Sequence, residues 1–139
     1  VTFGRFSRVA VACLLLLLSG CQLHQLRDRP VEQQLVDRVA RTVHRLEAET
    51  GLRARAPYRV RVVQAHFIDA QGFAAAVSPK GRESIGWVNV GNPYVVTFPS
   101  VTGKRIPDKV IEHEALHVIL LSNGIAGHPE SFSKYAWRW

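Results

Sequence analysis

Only two cysteines, Cys13 and Cys21, occur in 139 residues, and both precede residue 22. The rest of the chain has no thiol to pair, which excludes a disulfide framework. Imidazole and carboxylate are left as the groups able to hold a metal. Acidic side chains are also few: 11 Asp and Glu stand against 18 Lys and Arg, a net charge of +7. That balance favours anionic surroundings such as lipid headgroups or acidic polymers. Nucleic acid is not expected as a partner, because the arginines are dispersed and no basic-aromatic recognition motif occurs. Internal repeats and low-complexity tracts are missing too. The one long apolar run, residues 9–18, is too short to span a bilayer as a mature helix. The length predicts one compact domain, and a hydrophobic content of 47% argues against disorder.

The stretch that organises the remainder is His113-Glu114-Ala115-Leu116-His117. Residues four apart lie above one another on a helix, so the two imidazoles project side by side, roughly 6 Å apart along the axis. Such a pair chelates one metal ion, and a catalytic zinc takes three protein ligands and leaves a fourth position for water. Glu114, beside the first ligand, has a carboxylate within reach of that water and would take its proton. The string resembles the HExxH signature of zinc metalloproteases. Its flanks, Ile111, Ala115, Leu116, Val118 and Ile119, are uncharged, as a helix buried beside an active site requires.

Upstream, Arg5 and Arg8 precede the apolar run, and Leu18-Ser19-Gly20-Cys21 follows it. This order of charge, apolar core and small residues is that of a secretory signal. The small residues before a cysteine resemble the lipobox of bacterial lipoproteins, which implies a signal peptide over residues 1–20 and lipidation at Cys21. Loss of Arg5 and Arg8 with the signal takes the charge from +7 to +5. Gln22 after the cysteine implies, by analogy, sorting to the outer membrane. Residues 21–29 read as a polar tether, and residues 30–139 as the domain.

Within the domain, Leu35, Val39, Val43 and Leu46 form one stripe of an amphipathic helix over residues 31–50, stopped at Gly51. His44 sits beside that stripe as a surface residue. Strands are expected at residues 58–67, 73–77, 84–90 and 94–98, with turns at 69–72, 78–81 and 91–93. His66, near the end of the first strand, is a weak ligand candidate. The motif helix is expected from Pro107 and Asp108 to Ser122, with Asn123-Gly124 as its left-handed stop.

A third ligand has to come from downstream. His128, eleven residues after His117, is favoured over Glu130 on ligand type. Gly127-His128-Pro129-Glu130-Ser131-Phe132 after an HExxH helix is similar to the SprT-like metalloprotease family over about residues 110–132, with Pro129 where the family has glycine. The resemblance implies that His113, His117 and His128 bind zinc, that Glu114 is the base, and that Phe132 packs behind the site. It also implies an α+β zincin-like fold: an N-terminal backing helix, a small three- to four-stranded sheet, a central HExxH helix and a short C-terminal helix. In that architecture the strand before the motif helix, residues 94–98, borders the substrate cleft, where an extended peptide adds to its edge. A plain core strand is the equal alternative. Tyr135, and with less claim Arg138, are candidate donors to the oxyanion. The expected function is a zinc-dependent metallopeptidase acting on peptide or protein substrates in the cell envelope, lipid-anchored and facing the periplasm. A non-catalytic zinc-binding lipoprotein is the alternative reading.

Overall fold

The computed structural model describes residues 25–135. Cys13, Cys21, the signal segment and Arg138 lie outside the described residues. Two helices pack on one face of a four-stranded sheet, and a second, three-stranded sheet stands beside it. The class is α+β.

Helix α1 (Gln33–Thr50) forms because its apolar residues recur every turn, and the four of the predicted stripe are its buried residues. It ends at Gly51, whose left-handed φ of 74° lets its N–H reach Glu47 O at 3.0 Å. The main sheet has the order β1-β2-β7-β6, built from β1 (Asp28–Arg29), β2 (Tyr58–Gln64), β6 (Trp87–Asn89) and β7 (Tyr94–Ser100). Strands β2 and β7 run parallel from Tyr58↔Tyr94 to Gln64↔Ser100, while β1 and β6 flank them antiparallel. The bond between Asn92 and Pro93 before β7 is cis. The second sheet is β3 (Phe67–Ile68), β4 (Ala74–Val77) and β5 (Glu83–Ser84).

Helix α2 (Asp108–Ser122) carries the HExxH stretch and is the most buried element, with nine of its residues out of solvent. It and α1 close over Val62, Val96 and Phe98 of the sheet to make the core. Ion pairs from Arg38 to Asp108 and from Arg45 to Glu112 join the two helices in the same order along both, so they run parallel. Such partly exposed pairs add little stability and act mainly on register. Among the described residues, no helix is long and apolar enough to cross a membrane.

Several expectations change. The strand foreseen at 58–67 divides, because Ala65 donates to Ser100 O while His66 donates to Ala75 O, and the chain passes from one sheet to the other between them. The strand foreseen at 84–90 is interrupted at Ile85 and Gly86. The stretch foreseen as tether is part of the sheet by Arg27, whose carbonyl accepts from Gln64 N, and Asp28 pairs with Arg61. The domain therefore begins before residue 30. Strand β7 lies between β2 and β6, so the edge foreseen at residues 94–98 does not exist there, and β6 is the edge strand on that side. The C-terminal helix is a 3-10 element over Glu130–Tyr135, broken at Phe132.

Candidate metal centre

The site grows from the middle of α2. His113 and His117 project from one face of it, and their Nε2 atoms stand 3.2 Å apart. Helix α2 then ends at Ser122, with Asn123 as its cap. Gly124, at φ 76°, turns the chain so that its N–H bonds Leu121 O at 3.0 Å and Ile125 N bonds Leu120 O at 2.9 Å. These paired bonds satisfy carbonyls that a helix end leaves open, and Ile125 packs back on the core. The return path passes Gly127, also left-handed at φ 75°. It delivers His128 Nε2 to 3.0 Å from His117 Nε2.

The three rings form a nearly equilateral triangle with centroid separations of 4.9, 5.0 and 4.9 Å. Nitrogens bound to one zinc at about 2.0–2.1 Å in tetrahedral geometry stand about 3.3 Å apart, so the observed spacings fit one shared ion. The donor set fits as well, since ligation requires neutral imidazole. Burial, followed by the two neighbouring imidazoles, pushes the pKa of His117 down to about 3. These three histidines could therefore hold a metal ion. Glu130, the alternative third ligand, is exposed at the start of the 3-10 element and is not part of the group. His66 takes a structural part instead, its Nδ1 accepting from Val77 N at 3.0 Å. His44 is on the surface, 83% exposed along its side chain.

Glu114 is 3% exposed, and burial alone lifts its pKa to about 8. Gly86 makes room for it. A β-carbon at that position would stand 2.9 Å from Glu114 Cγ, 3.0 Å from Oε1 and 3.2 Å from Cδ. Gly86 falls inside the strand expected at residues 84–90, and a glycine inside a strand pattern signals a close approach of another group. Here that group is the carboxylate of Glu114.

No family model, curated protein or solved structure matches this chain. The site's chemistry therefore has to be read from its own atoms.

Glu114 and the three histidines open on a cleft of about 1010 Å³. The helix and the returning loop form one wall. The other is made by the β4–β5 hairpin and by Ile85, Gly86, Trp87 and Val88, which leads onto the edge strand β6. A volume at the upper end of the range for small-molecule pockets, along a strand edge, suits an extended chain. Tyr135 is not brought there. Its ring is buried in the core 6.4 Å from Phe132, and its hydroxyl is buried with it. The carboxylate that this hydroxyl influences is Glu49 on α1, whose pKa is held down chiefly by Arg45. Phe132 is partly buried and packs against the core.

Proposed function

We propose that this chain is a zinc-dependent metallopeptidase of the bacterial cell envelope, in which Glu114 is the general base for water attacking a peptide carbonyl. The observation that carries the reading is the convergence of three imidazole Nε2 atoms beside a buried carboxylate on an open cleft. Three imidazoles with a free position suit zinc, which would acidify a water and polarise the scissile carbonyl. With Tyr135 in the core, that polarisation would fall to a metal held by the three histidines. The similarity to SprT-like proteins supports the ligand set and the base, and nothing is taken from it for the substrate.

The chain's own residues supply the rest. Glu114 accepts the proton of the attacking water and returns it to the leaving amine. Its carboxylate must be ionised to do so, and a dication held by the histidines would oppose the effect of burial. Strand β6 is the edge of its sheet among the described residues, where an extended peptide would add by main-chain hydrogen bonds. Lipidation at Cys21 would hold the enzyme on the periplasmic side of a membrane, by the Gln22 analogy the outer one.

The test is to assay the full chain on a broad peptide library, with chelator and Glu114→Gln as controls. Removing the base is expected to lower turnover by about 10² to 10⁴ while zinc stays bound at one per chain. Equal cleavage by the Gln variant would remove Glu114 from the mechanism. Zinc bound with no turnover on any peptide would favour the non-catalytic zinc-binding lipoprotein.

A further inference from the structure

At the end of the molecule where both helices begin, a second cavity of about 430 Å³ shares no lining residue with the metal cleft. Arg29, Arg38, Lys104 and Arg105 line it, against the single carboxylate of Glu32. Asp108, just outside, is shared between Arg38 and Arg105, so positive charge remains in excess. Among the described residues no carboxylate lies within ion-pair distance of Arg29 or Lys104. Arg29 is instead held by hydroxyls, donating to Thr102 Oγ1 at 3.0 Å and to Ser100 Oγ at 3.4 Å. Arg38 is nine-tenths buried along its side chain, and its Nε is left without a hydrogen-bond partner. Burying a guanidinium nitrogen unpaired is costly. Helix α1 adds the positive end of its dipole, since Glu32 makes no side-chain cap and the first turn holds no acidic residue.

The geometry points to a binding site for a phosphate-bearing anion in this cavity, supplied by the headgroups of anionic membrane lipids. Arginine forks in a partly closed cavity match phosphate oxygens. The lipid source is favoured by chain length. Cys21 lies seven residues before Asp28, where the chain is already fixed in β1, so even fully extended the anchor stands within about 25 Å of the cavity rim. A lipid-anchored domain on so short a lead is held against the bilayer, with this basic end near the headgroups. The inference rests on the envelope reading only for that nearness. The cavity's charge is independent of it.

Lysine acylation of the full chain on vesicles tests the site, read by peptide mass spectrometry. On vesicles containing phosphatidylglycerol, Lys104 is expected to react about fivefold more slowly than on neutral phosphatidylcholine, with Lys80 at the metal cleft unchanged. The exposed Arg105→Gln change should reduce that protection and leave metal content as it was. Equal effects at Lys104 and Lys80 would mean general surface attraction and overturn the site, as would no protection. Protection by inorganic phosphate on neutral vesicles, matching that of the lipid, would overturn the lipid as the source. The mass of the Cys21 peptide in the same digest reports lipidation separately. An unmodified Cys21 with Lys104 protected leaves the cavity standing, and a lipidated Cys21 with Lys104 unprotected removes the cavity alone.

Discussion

Gly86 shows how one missing side chain positions the chemistry. The carboxylate of Glu114 occupies the space a β-carbon would take, and both lie in the wall of the metal cleft. In Gly86→Ala the new methyl would crowd the Glu114 side chain, and in a packed interior such crowding costs about 1–3 kcal/mol. The outcome expected is a lower urea midpoint together with a fall in peptide turnover, while zinc stoichiometry stays at one, because the three atoms nearest the new methyl all belong to Glu114. Loss of zinc in this variant would mean that Gly86 supports the ligands and not the base. His128 invites the complementary comparison. His128→Ala should release the metal and Glu130→Ala should retain it in the same stoichiometry measurement, since only the histidine is within ligand reach of His113 and His117. Retention of full zinc by His128→Ala would refute the three-histidine assignment.

At the scale of elements, two left-handed glycines three residues apart act in different ways. Gly124 ends α2 and Gly127 aims His128, and a β-carbon at either meets nothing within 4 Å, so substitution there strains the backbone without a clash. Alanine at either position is expected to cost on the order of 1 kcal/mol of stability. Only Gly127→Ala, next to the ligand, should also weaken zinc affinity markedly, as titration with a competing chelator would reveal. Equal loss in both variants would mean that the loop moves as one body. The same region explains what could be read in advance. Helix α1, the motif helix and its stop were legible because apolar period, HExxH spacing and Asn-Gly are local signals. His128 was legible because few ligand types remained downstream. Hidden were the features set by pairing across distance: the crossing of the chain between sheets at Ala65 and His66, and the interior position of β7. Tyr135 belongs with these. Its composition and place near the third ligand suggested a donor, yet the 3-10 break at Phe132 leaves its ring in the core.

For the whole molecule, the metal-free site is a stability cost that depends on pH. Glu114 has a folded pKa raised from 4.5 to about 8, so the folded state holds its proton where the unfolded chain has lost it. Stability from this group is fully present below 4.5 and is lost as pH rises toward 8. His117 has a folded pKa lowered from 6.5 to about 3, so there the unfolded chain holds the extra proton. Its contribution is fully present above 6.5 and is lost as pH falls toward 3. Between 4.5 and 6.5 the two slopes oppose one another, and from 6.5 to 8 Glu114 acts alone. The metal-free protein should therefore lose about 1 kcal/mol per pH unit across that upper window, measured by urea denaturation at a series of pH values. Glu114→Gln, with nothing to ionise, should lack this fall while keeping the acid-side loss from His117. Zinc should flatten the alkaline limb of the native protein as well, because the bound cation favours the carboxylate, and it should raise stability by about 2.7 kcal/mol at a hundredfold excess over Kd. Parallel profiles for the metal-free native protein and Glu114→Gln between pH 6.5 and 8 would mean that Glu114 is ionised or solvated in the fold. The buried base, and with it the need for a cation to draw its proton away, would then have to be given up.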